Sequence, residues 1–264
     1  MKNNRTLLIF LIVIVALFIG AIVFVPQLKK PSGDDSGSSS SSQIDLSEYN
    51  VNAYIDGNDD NGNIADHVKN ADIKTAKLVI FEYADYQCSG CATVGPWIKE
   101  VLAEYKDEVA LIYRTDPLTN IHPNAIAAAS AVEAAGLQGY WEEYGDLVFE
   151  NQAEWFYATG SKRTDYFATY FKTVAGENGD VNKFKADMAG DAVKAKVNFD
   201  RAIAESLKIS ATPSFFDSKG QEIDWASGEQ TKLSIQNFFR NYFNKALGRE
   251  EVPEETTEET TEEY

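Results

Sequence analysis

The segment KLVIFEYADYQCSGC, residues 77–91, decides the predicted fold of this 264-residue chain. Its first part, Lys77–Tyr83, is rich in β-branched and aromatic residues, which is typical of a buried central strand. Cys88 and Cys91 come directly afterwards, and an apolar repeat with helical spacing follows them. Val109–Arg114 predicts a second strand. A strand, a helix and a strand in so short a segment favour a parallel βαβ unit with a right-handed crossover.

The chain beyond this unit predicts helices first and then a return to the sheet. The segment from Asn124 to about Ser206 is alanine-rich and helical in pattern. Later elements are a strand at Ser214–Asp217, a turn at 218–220, a strand at Glu222–Trp225 and a last amphipathic helix from Thr231 to about Leu247. We therefore predict an α/β domain over residues 51–248, interrupted by a helical subdomain at about residues 120–206.

The N-terminal sequence predicts a membrane anchor. An apolar run, interrupted only by Gly20, extends from Leu7 to Val25. At about 1.5 Å per residue, a helix of that length spans roughly the 30 Å hydrocarbon core of a bilayer. We expect one transmembrane helix at 6–25, with residues 1–5 as a short cytoplasmic end. A cleaved signal peptide is the alternative, although Val-Phe-Val-Pro is a poor cleavage site.

Two further segments are too polar to form a core. Residues 26–50 contain the run PSGDDSGSSSSS and predict a flexible linker, and residues 249–264 predict an acidic, disordered tail. The whole chain carries a net charge of −17, which would repel a phosphate backbone, so we expect no nucleic-acid partner. A hydrophobic fraction of 44% excludes disorder throughout the chain.

The spacing Cys88-Ser89-Gly90-Cys91 at a helix start predicts redox chemistry. The free N–H groups and the dipole of a helix N-terminus stabilise a thiolate, the reactive form of cysteine. Cys88 would then be the attacking thiol, and Cys91, one turn later, would resolve the mixed disulfide. The chain has no other cysteines, so this pair does not belong to a framework of structural disulfides.

These features resemble the thioredoxin-fold thiol–disulfide oxidoreductases, specifically the membrane-anchored DsbA-like branch. The resemblance extends over roughly residues 64–247 and depends on four segments that occur in the family's order. They are FEYADYQCSGC at 81–91 followed by Pro96, YRTDPLTNIHPNA at 113–125, YWEEYGDLVFENQ at 140–152 and SATPSFF at 210–216. The fold that the resemblance implies is a thioredoxin fold with an inserted helical subdomain, preceded by one transmembrane helix.

The resemblance also implies roles for individual residues. The Thr212–Pro213 peptide bond is expected to be cis and to shape the substrate-binding edge beside the cysteines. Glu82 stands where the family often places a buried acid, which would accept or relay the proton of Cys91. We expect no metal and no organic cofactor, because the cysteine pair is itself the redox centre. His67 and His122 lack the spacing of a zinc site, and His122 is interpreted as structural, capping the helix from Asn124 onward.

The implied activity is disulfide-bond formation in exported polypeptides that contain cysteines, on the extracytoplasmic side of the cell membrane. Expected partners are those polypeptides, the membrane lipid around the anchor and a quinone-linked membrane reoxidase. Because Ser89 and Gly90 replace the commoner Pro-containing or His-containing pairs, we expect a less extreme oxidant than the strongest family members. An extracytoplasmic reductase or isomerase is one alternative, and a tethered, non-catalytic binding protein is another.

Overall fold

A mixed sheet lies at the centre of the computed structural model, which describes residues 44–57 and 64–252. Its strands are β1 (His67–Asn70), β2 (Leu78–Ala84), β3 (Val109–Thr115) and β4 (Ser214–Asp217), in the order β1-β3-β2-β4. β2 is parallel to β3 and antiparallel to β4, and β1 is antiparallel to β3. The predicted parallel βαβ unit is therefore present.

The helices of the described residues form the crossover, the insertion and the C-terminal element. α1 (Ser89–Glu104) connects β2 to β3. The insertion between β3 and β4 consists of α2 (Ala125–Gly136), α3 (Trp141–Glu150), α4 (Gln152–Trp155), α5 (Gly160–Ala175), a 3₁₀ turn at Gly176–Asn178, α6 (Val181–Asp187) and α7 (Asp191–Ser206). α8 (Lys232–Ala246) follows β4.

Both faces of the sheet are buried, which explains why β2 and β3 are apolar with little alternation. On one face, Ile80 and Leu111 pack with Ile98 of α1 and Phe239 of α8. The other face packs against α7. The insertion has its own apolar core, in which Phe171 and Phe184 stack with ring centroids 4.4 Å apart.

A network of buried ion pairs joins the sheet to the insertion. On the sheet side, the fully buried Arg114 of β3 donates through Nη2 to Asp66 Oδ2 at 2.7 Å. On the insertion side, Lys196 of α7 contacts Asp200 at 2.7 Å, and Asp200 accepts the backbone N–H of Thr115 at 3.0 Å. Burial raises the pKa of Asp200 to about 6. Each charge is paired, which burial of this depth requires.

Two strand predictions were wrong in detail. The segment predicted as a strand at Glu222–Trp225 makes only a single bridge, between Glu222 and Phe216. The ladder stops there because the chain turns at once, with the N–H of Trp225 donating to the carbonyl of Ile223 at 2.8 Å. Conversely, β1 was not predicted, since its four residues carry too short a pattern and depend on β3 for pairing.

The predicted linker and tail both extend too far into the domain. Ile44, Leu46 and Tyr49 pack against the core, with the Tyr49 and Phe199 rings 4.9 Å apart. At the other end, Arg249 pairs with Glu108 at 2.6 Å. Apolar and charged side chains at these ends find partners on the folded surface, so the compact unit begins at about residue 43. None of the helices within the described residues is long and apolar enough to cross a bilayer, and the predicted anchor at 6–25 lies outside those residues.

Candidate active site

Cys88 is the N-cap residue of α1, and Cys91 lies one turn further into the helix. Cys88 is half-buried and Cys91 is buried, with 1% of its surface exposed. Both are free thiols in this structure. Only the first sulfur is therefore open to a second molecule, which is what an attacking and a resolving thiol would require.

The two thiols differ in acidity in opposite directions. A hydrogen bond from the Cys91 thiol, together with the hydroxyl of Thr212 and the backbone amides of Cys91 and Gly90, lowers the pKa of Cys88 to about 5 although burial opposes this. Burial raises the pKa of Cys91 well above its ordinary value, and the neighbouring Cys88 raises it further. At neutral pH the exposed sulfur is a thiolate and the buried one keeps its proton.

The segment 211–214, called here the cis-proline loop, lies opposite the cysteines. The Thr212–Pro213 peptide bond is cis, as predicted. Cys88 Sγ donates to the carbonyl oxygen of Thr212 at 3.2 Å. The buried Thr212 hydroxyl has no hydrogen-bond partner at ordinary distance among the described residues, and it helps to lower the pKa values of both cysteines.

Gly90 leaves a small space between α1 and the cis-proline loop. A Cβ atom at this position would lie 3.5 Å from Cys88 Sγ and 3.6 Å from both Pro213 Cδ and Thr212 O. These are ordinary van der Waals contacts, so a Cβ atom fits at this position. Ser89, the other residue between the cysteines, accepts the Thr93 hydroxyl on its carbonyl at 2.9 Å.

Glu82 lies on β2 behind α1, with 5% of its surface exposed. Burial raises the pKa of this carboxyl, and Lys69 of β1 partly offsets the rise. Both residues line a cavity of about 330 Å³, whose wall also includes Ala92 and Pro96 of α1 and Tyr113 of β3. The cavity thus runs along the helix turn that follows Cys91. Sequence reasoning missed Lys69, because β1 was not recognised as a strand.

Asp85, Gln87 and His122 form a second group that the sequence did not predict. Asp85 Oδ2 accepts His122 Nδ1 at 2.7 Å and the backbone N–H of Leu118 at 2.9 Å. Gln87 bonds to Asn124 and to the carbonyl of Phe156. The His122 side chain therefore contacts the segment before Cys88 and does not cap the helix, whereas its backbone carbonyl accepts the N–H of Ala125 at 3.2 Å. Among the residues described, no group of His, Cys, Asp and Glu side chains is placed to hold a metal ion.

The helical insertion interrupts the sheet between its crossover unit and its cis-proline strand, so the fold is a thioredoxin-like fold with an inserted helical subdomain. A family model described as thioredoxin matches residues 73–235, and the chain belongs to that family. The predicted thioredoxin-fold α/β class is confirmed, whereas the transmembrane helix predicted before it stays a prediction.

Solved structures share the fold at low sequence identity. The chain is similar to oxidised BdbD from Bacillus subtilis, with a TM-score of 0.56, 15% identity and coverage of 74% of this chain and 99% of that one. It is similar to MdbA, a thiol-disulfide oxidoreductase from Actinomyces oris, with a TM-score of 0.55, 17% identity and coverage of 77% and 97%. DsbA from Klebsiella pneumoniae, a disulfide interchange protein, has a TM-score of 0.51, 18% identity and coverage of 70% and 95%.

Curated relatives match over a shorter segment. The chain is 31% identical over 155 residues to the Na(+)/H(+) antiporter NhaA 1 of Mycolicibacterium vanbaalenii, covering 57% of this chain and 23% of that protein. It is also 31% identical over 151 residues to NhaA 3 of Salinispora tropica, covering 57% and 21%. The chain spans less than a quarter of the length of these relatives, so the antiporter activity in their names is theirs.

Proposed function

We propose that this protein catalyses thiol–disulfide exchange and that its main reaction is disulfide-bond formation in exported polypeptides. The opposite pKa shifts of Cys88 and Cys91 are the observation that carries this proposal. A depressed pKa makes Cys88 both a ready nucleophile and a good leaving group, whereas a raised pKa keeps Cys91 protonated until it is needed. These are the separate requirements of an attacking and a resolving thiol.

In the oxidising direction the protein begins as the Cys88–Cys91 disulfide. A substrate thiolate attacks Cys88 Sγ, so a mixed disulfide forms while the internal S–S bond breaks, and Cys91 leaves and takes up a proton. A second substrate thiolate then attacks the substrate sulfur of the mixed disulfide and releases Cys88 as a thiolate. Two electrons pass from the substrate to the protein, and the substrate gains a disulfide.

The acidity of Cys88 supports an oxidant of intermediate strength. A thiolate that is stabilised in the reduced protein favours reduction of its own disulfide, and hence oxidation of the substrate. The value of about 5 for the pKa of Cys88 lies between about 7 for thioredoxin and about 3.5 for the strongest DsbA-type oxidants. We expect a reduction potential between roughly −270 mV and −120 mV.

Glu82 is proposed to exchange a proton with Cys91: it gives the proton when Cys91 leaves in the oxidising direction, and it takes the proton back when Cys91 attacks in the reverse direction. Its raised pKa suits a carboxyl that gains and loses a proton during the reaction, and the cavity it lines runs past Ala92, beside Cys91. Lys69, which lines the same cavity, partly offsets the rise in the Glu82 pKa. The cysteine pair is the whole redox centre in this proposal, with no metal or organic cofactor.

We place this reaction outside the cytoplasm, on a domain held at the cell membrane by the anchor at 6–25. The apolar run from Leu7 to Val25 supports the anchor. A protein that oxidises substrates must pass their electrons on, so a quinone-linked membrane reoxidase is the proposed partner. A reporter that is active only in the cytoplasm, fused after Leu247, should stay silent in cells, and an active reporter would overturn this placement.

Equilibration of the full chain with glutathione buffers tests the function. The fraction of oxidised protein, read by gel shift after thiol alkylation, gives the reduction potential. A value in the expected range, with oxidation of a reduced cysteine-containing peptide, supports the proposal. A value at or below that of thioredoxin, about −270 mV, identifies a reductase instead. Failure of the pair to exchange with glutathione at all would point to a non-catalytic binding protein.

A further inference from the structure

Asp85 touches both cysteines through its backbone. Its carbonyl oxygen accepts the N–H of Cys88 at 3.0 Å. Its backbone amide lies against the sulfur of Cys91 and helps to hold down the pKa of that thiol. Asp85 comes directly after β2, so its position fixes how the chain leaves the sheet and enters α1.

The side chain of Asp85 is fully buried and bonds in two directions. Oδ1 accepts the N–H of Gln87 at 2.8 Å, within the segment that leads to Cys88. Oδ2 accepts Leu118 N at 2.9 Å and His122 Nδ1 at 2.7 Å, both in the segment that leads from β3 to α2. Because Oδ2 already accepts the Leu118 N–H, we assign Nδ1 as the donor in its contact with His122.

Gln87 also connects the segment before Cys88 to the helical insertion. Gln87 Oε1 accepts the N–H of Asn124 at 2.6 Å, and Gln87 Nε2 donates to the carbonyl of Phe156 at 2.8 Å. The segment before Cys88 is thus tied to the insertion at two points, through Asp85 and through Gln87. The bond from Asp85 to Gln87 N is an ordinary local turn contact. The bond from Asp85 to His122 instead joins the end of β2 to the segment that leads into α2.

We propose that Asp85 and His122 are positioning residues for Cys88, through which the helical insertion holds the attacking thiol in place. The inference rests on the proposed thiol chemistry. The Cys88 thiolate depends on the backbone amides of Gly90 and Cys91 and on the Cys91 thiol. Such bonds weaken steeply when the donor is misaligned. Loss of the His122 contact frees Asp85 to move, and Cys88 moves with it.

The pH dependence of Cys88 alkylation in the reduced full-length protein tests this role. In His122→Ala the alkylation rate at pH 5 should fall about fivefold, because less Cys88 is ionised at that pH. His122→Asn should restore most of the rate, since its side-chain N–H can replace the Nδ1–H donor. His67→Ala is the matched control, because His67 contacts Glu133 and Trp141 and should leave the rate unchanged.

Two comparisons keep the result decisive. If His122→Ala does not fold, His122→Gln is measured instead. Its longer side chain cannot place an amide N–H where Nδ1 lies, so its alkylation rate at pH 5 should be lower than that of His122→Asn. Equal profiles for the wild type and for the folded variant that lacks the donor overturn the positioning role. A wild-type profile with an ordinary thiol midpoint instead overturns the proposed function, since Cys88 would then not be an activated thiol.

Discussion

The sulfur of Cys88 lies 3.2 Å from the carbonyl oxygen of Thr212 and donates its hydrogen to it. This bond exists only while Cys88 carries a proton, because a thiolate has nothing to donate. Ionisation therefore releases the sulfur from the Thr212 carbonyl and leaves it to the Cys91 thiol, the Thr212 hydroxyl and the amides of α1. The same deprotonation thus makes the nucleophile and frees it to attack.

The division of labour between the thiols predicts unequal trapping of substrates. Cys91→Ala keeps the exposed Cys88 but lacks the resolving thiol, so mixed disulfides should accumulate as reducible high-mass bands on non-reducing gels. Cys88→Ala should give few such bands, because Cys91 is buried and its pKa is raised. Equal trapping by the two variants would show that the assignment of roles is wrong.

The acidity of Cys88 predicts how pH affects the stability of the reduced form. Its pKa in the folded protein, about 5, lies below the value of about 8.5 for an unperturbed thiol. The resulting stabilisation is fully present above the unfolded value and is lost as pH falls through about 5. The difference in melting temperature between reduced and oxidised protein should therefore move in favour of the reduced form between about pH 5 and pH 8.5. Identical pH profiles for the two forms would contradict the lowered pKa.

Replacing Gly90 with histidine should make the disulfide more oxidising. A protonated imidazole beside Cys88 would stabilise its thiolate, and a Cβ at this position meets only ordinary contacts. We expect the glutathione equilibrium constant to change by roughly tenfold, equivalent to about 30 mV in a two-electron couple. Gly90→Ala is the control and should stay near the wild-type potential. A Gly90→His potential equal to that of Gly90→Ala would show that charge at this position has no effect.

Glu82→Gln should slow resolution while making the protein more stable at neutral pH. The variant lacks the proton acceptor proposed for Cys91, so release of mixed disulfides in stopped-flow experiments should be at least about tenfold slower. The raised pKa of Glu82 means that its ionisation opposes folding as pH rises through the folded value. The stability gain should therefore be present at pH 8 and absent at pH 3.

Glu100→Gln provides the control for that experiment. Glu100 lines the same cavity, but its carboxyl pairs with Lys232 and Gln236 and its pKa is lowered. Resolution should proceed at the wild-type rate in this variant. A similar slowing in both variants would assign the effect to the cavity as a whole and remove the specific role of Glu82.

The parts of the fold that the sequence predicted are those with a local signal. β2, α1 and β3 were found from apolar runs and from the spacing of Cys88 and Cys91, which depend only on neighbouring residues. The cis bond at Thr212–Pro213 came from a family motif, not from periodicity. β1 and Lys69 were not predicted, because a four-residue strand becomes recognisable only when β3 lies beside it.

The contact between Asp85 and His122 was missed for a related reason. The two residues are 37 positions apart, and neither belongs to a recognised spacing. His122 lies next to Pro123 at a helix start, so a capping role was the natural local interpretation. In the folded protein the imidazole instead contacts the buried carboxylate of Asp85, which follows β2.

The buried ion pairs of Arg114 with Asp66 and of Lys196 with Asp200 have a consequence for dissecting the molecule. Each pair lies within one part of the fold, Arg114 with Asp66 beside the sheet and Lys196 with Asp200 on α7. The two pairs meet where Lys196 Nζ lies 3.7 Å from Asp66 and where Asp200 accepts the backbone N–H of Thr115. A fragment limited to the insertion, or a sheet domain with the insertion deleted, would therefore keep its own ion pair but lose these cross-contacts and the cover that buries the pair, which is destabilising. The sheet and the insertion should consequently unfold in a single thermal transition. Transplanting the insertion onto another thioredoxin sheet would require moving Asp66 and Arg114 with it.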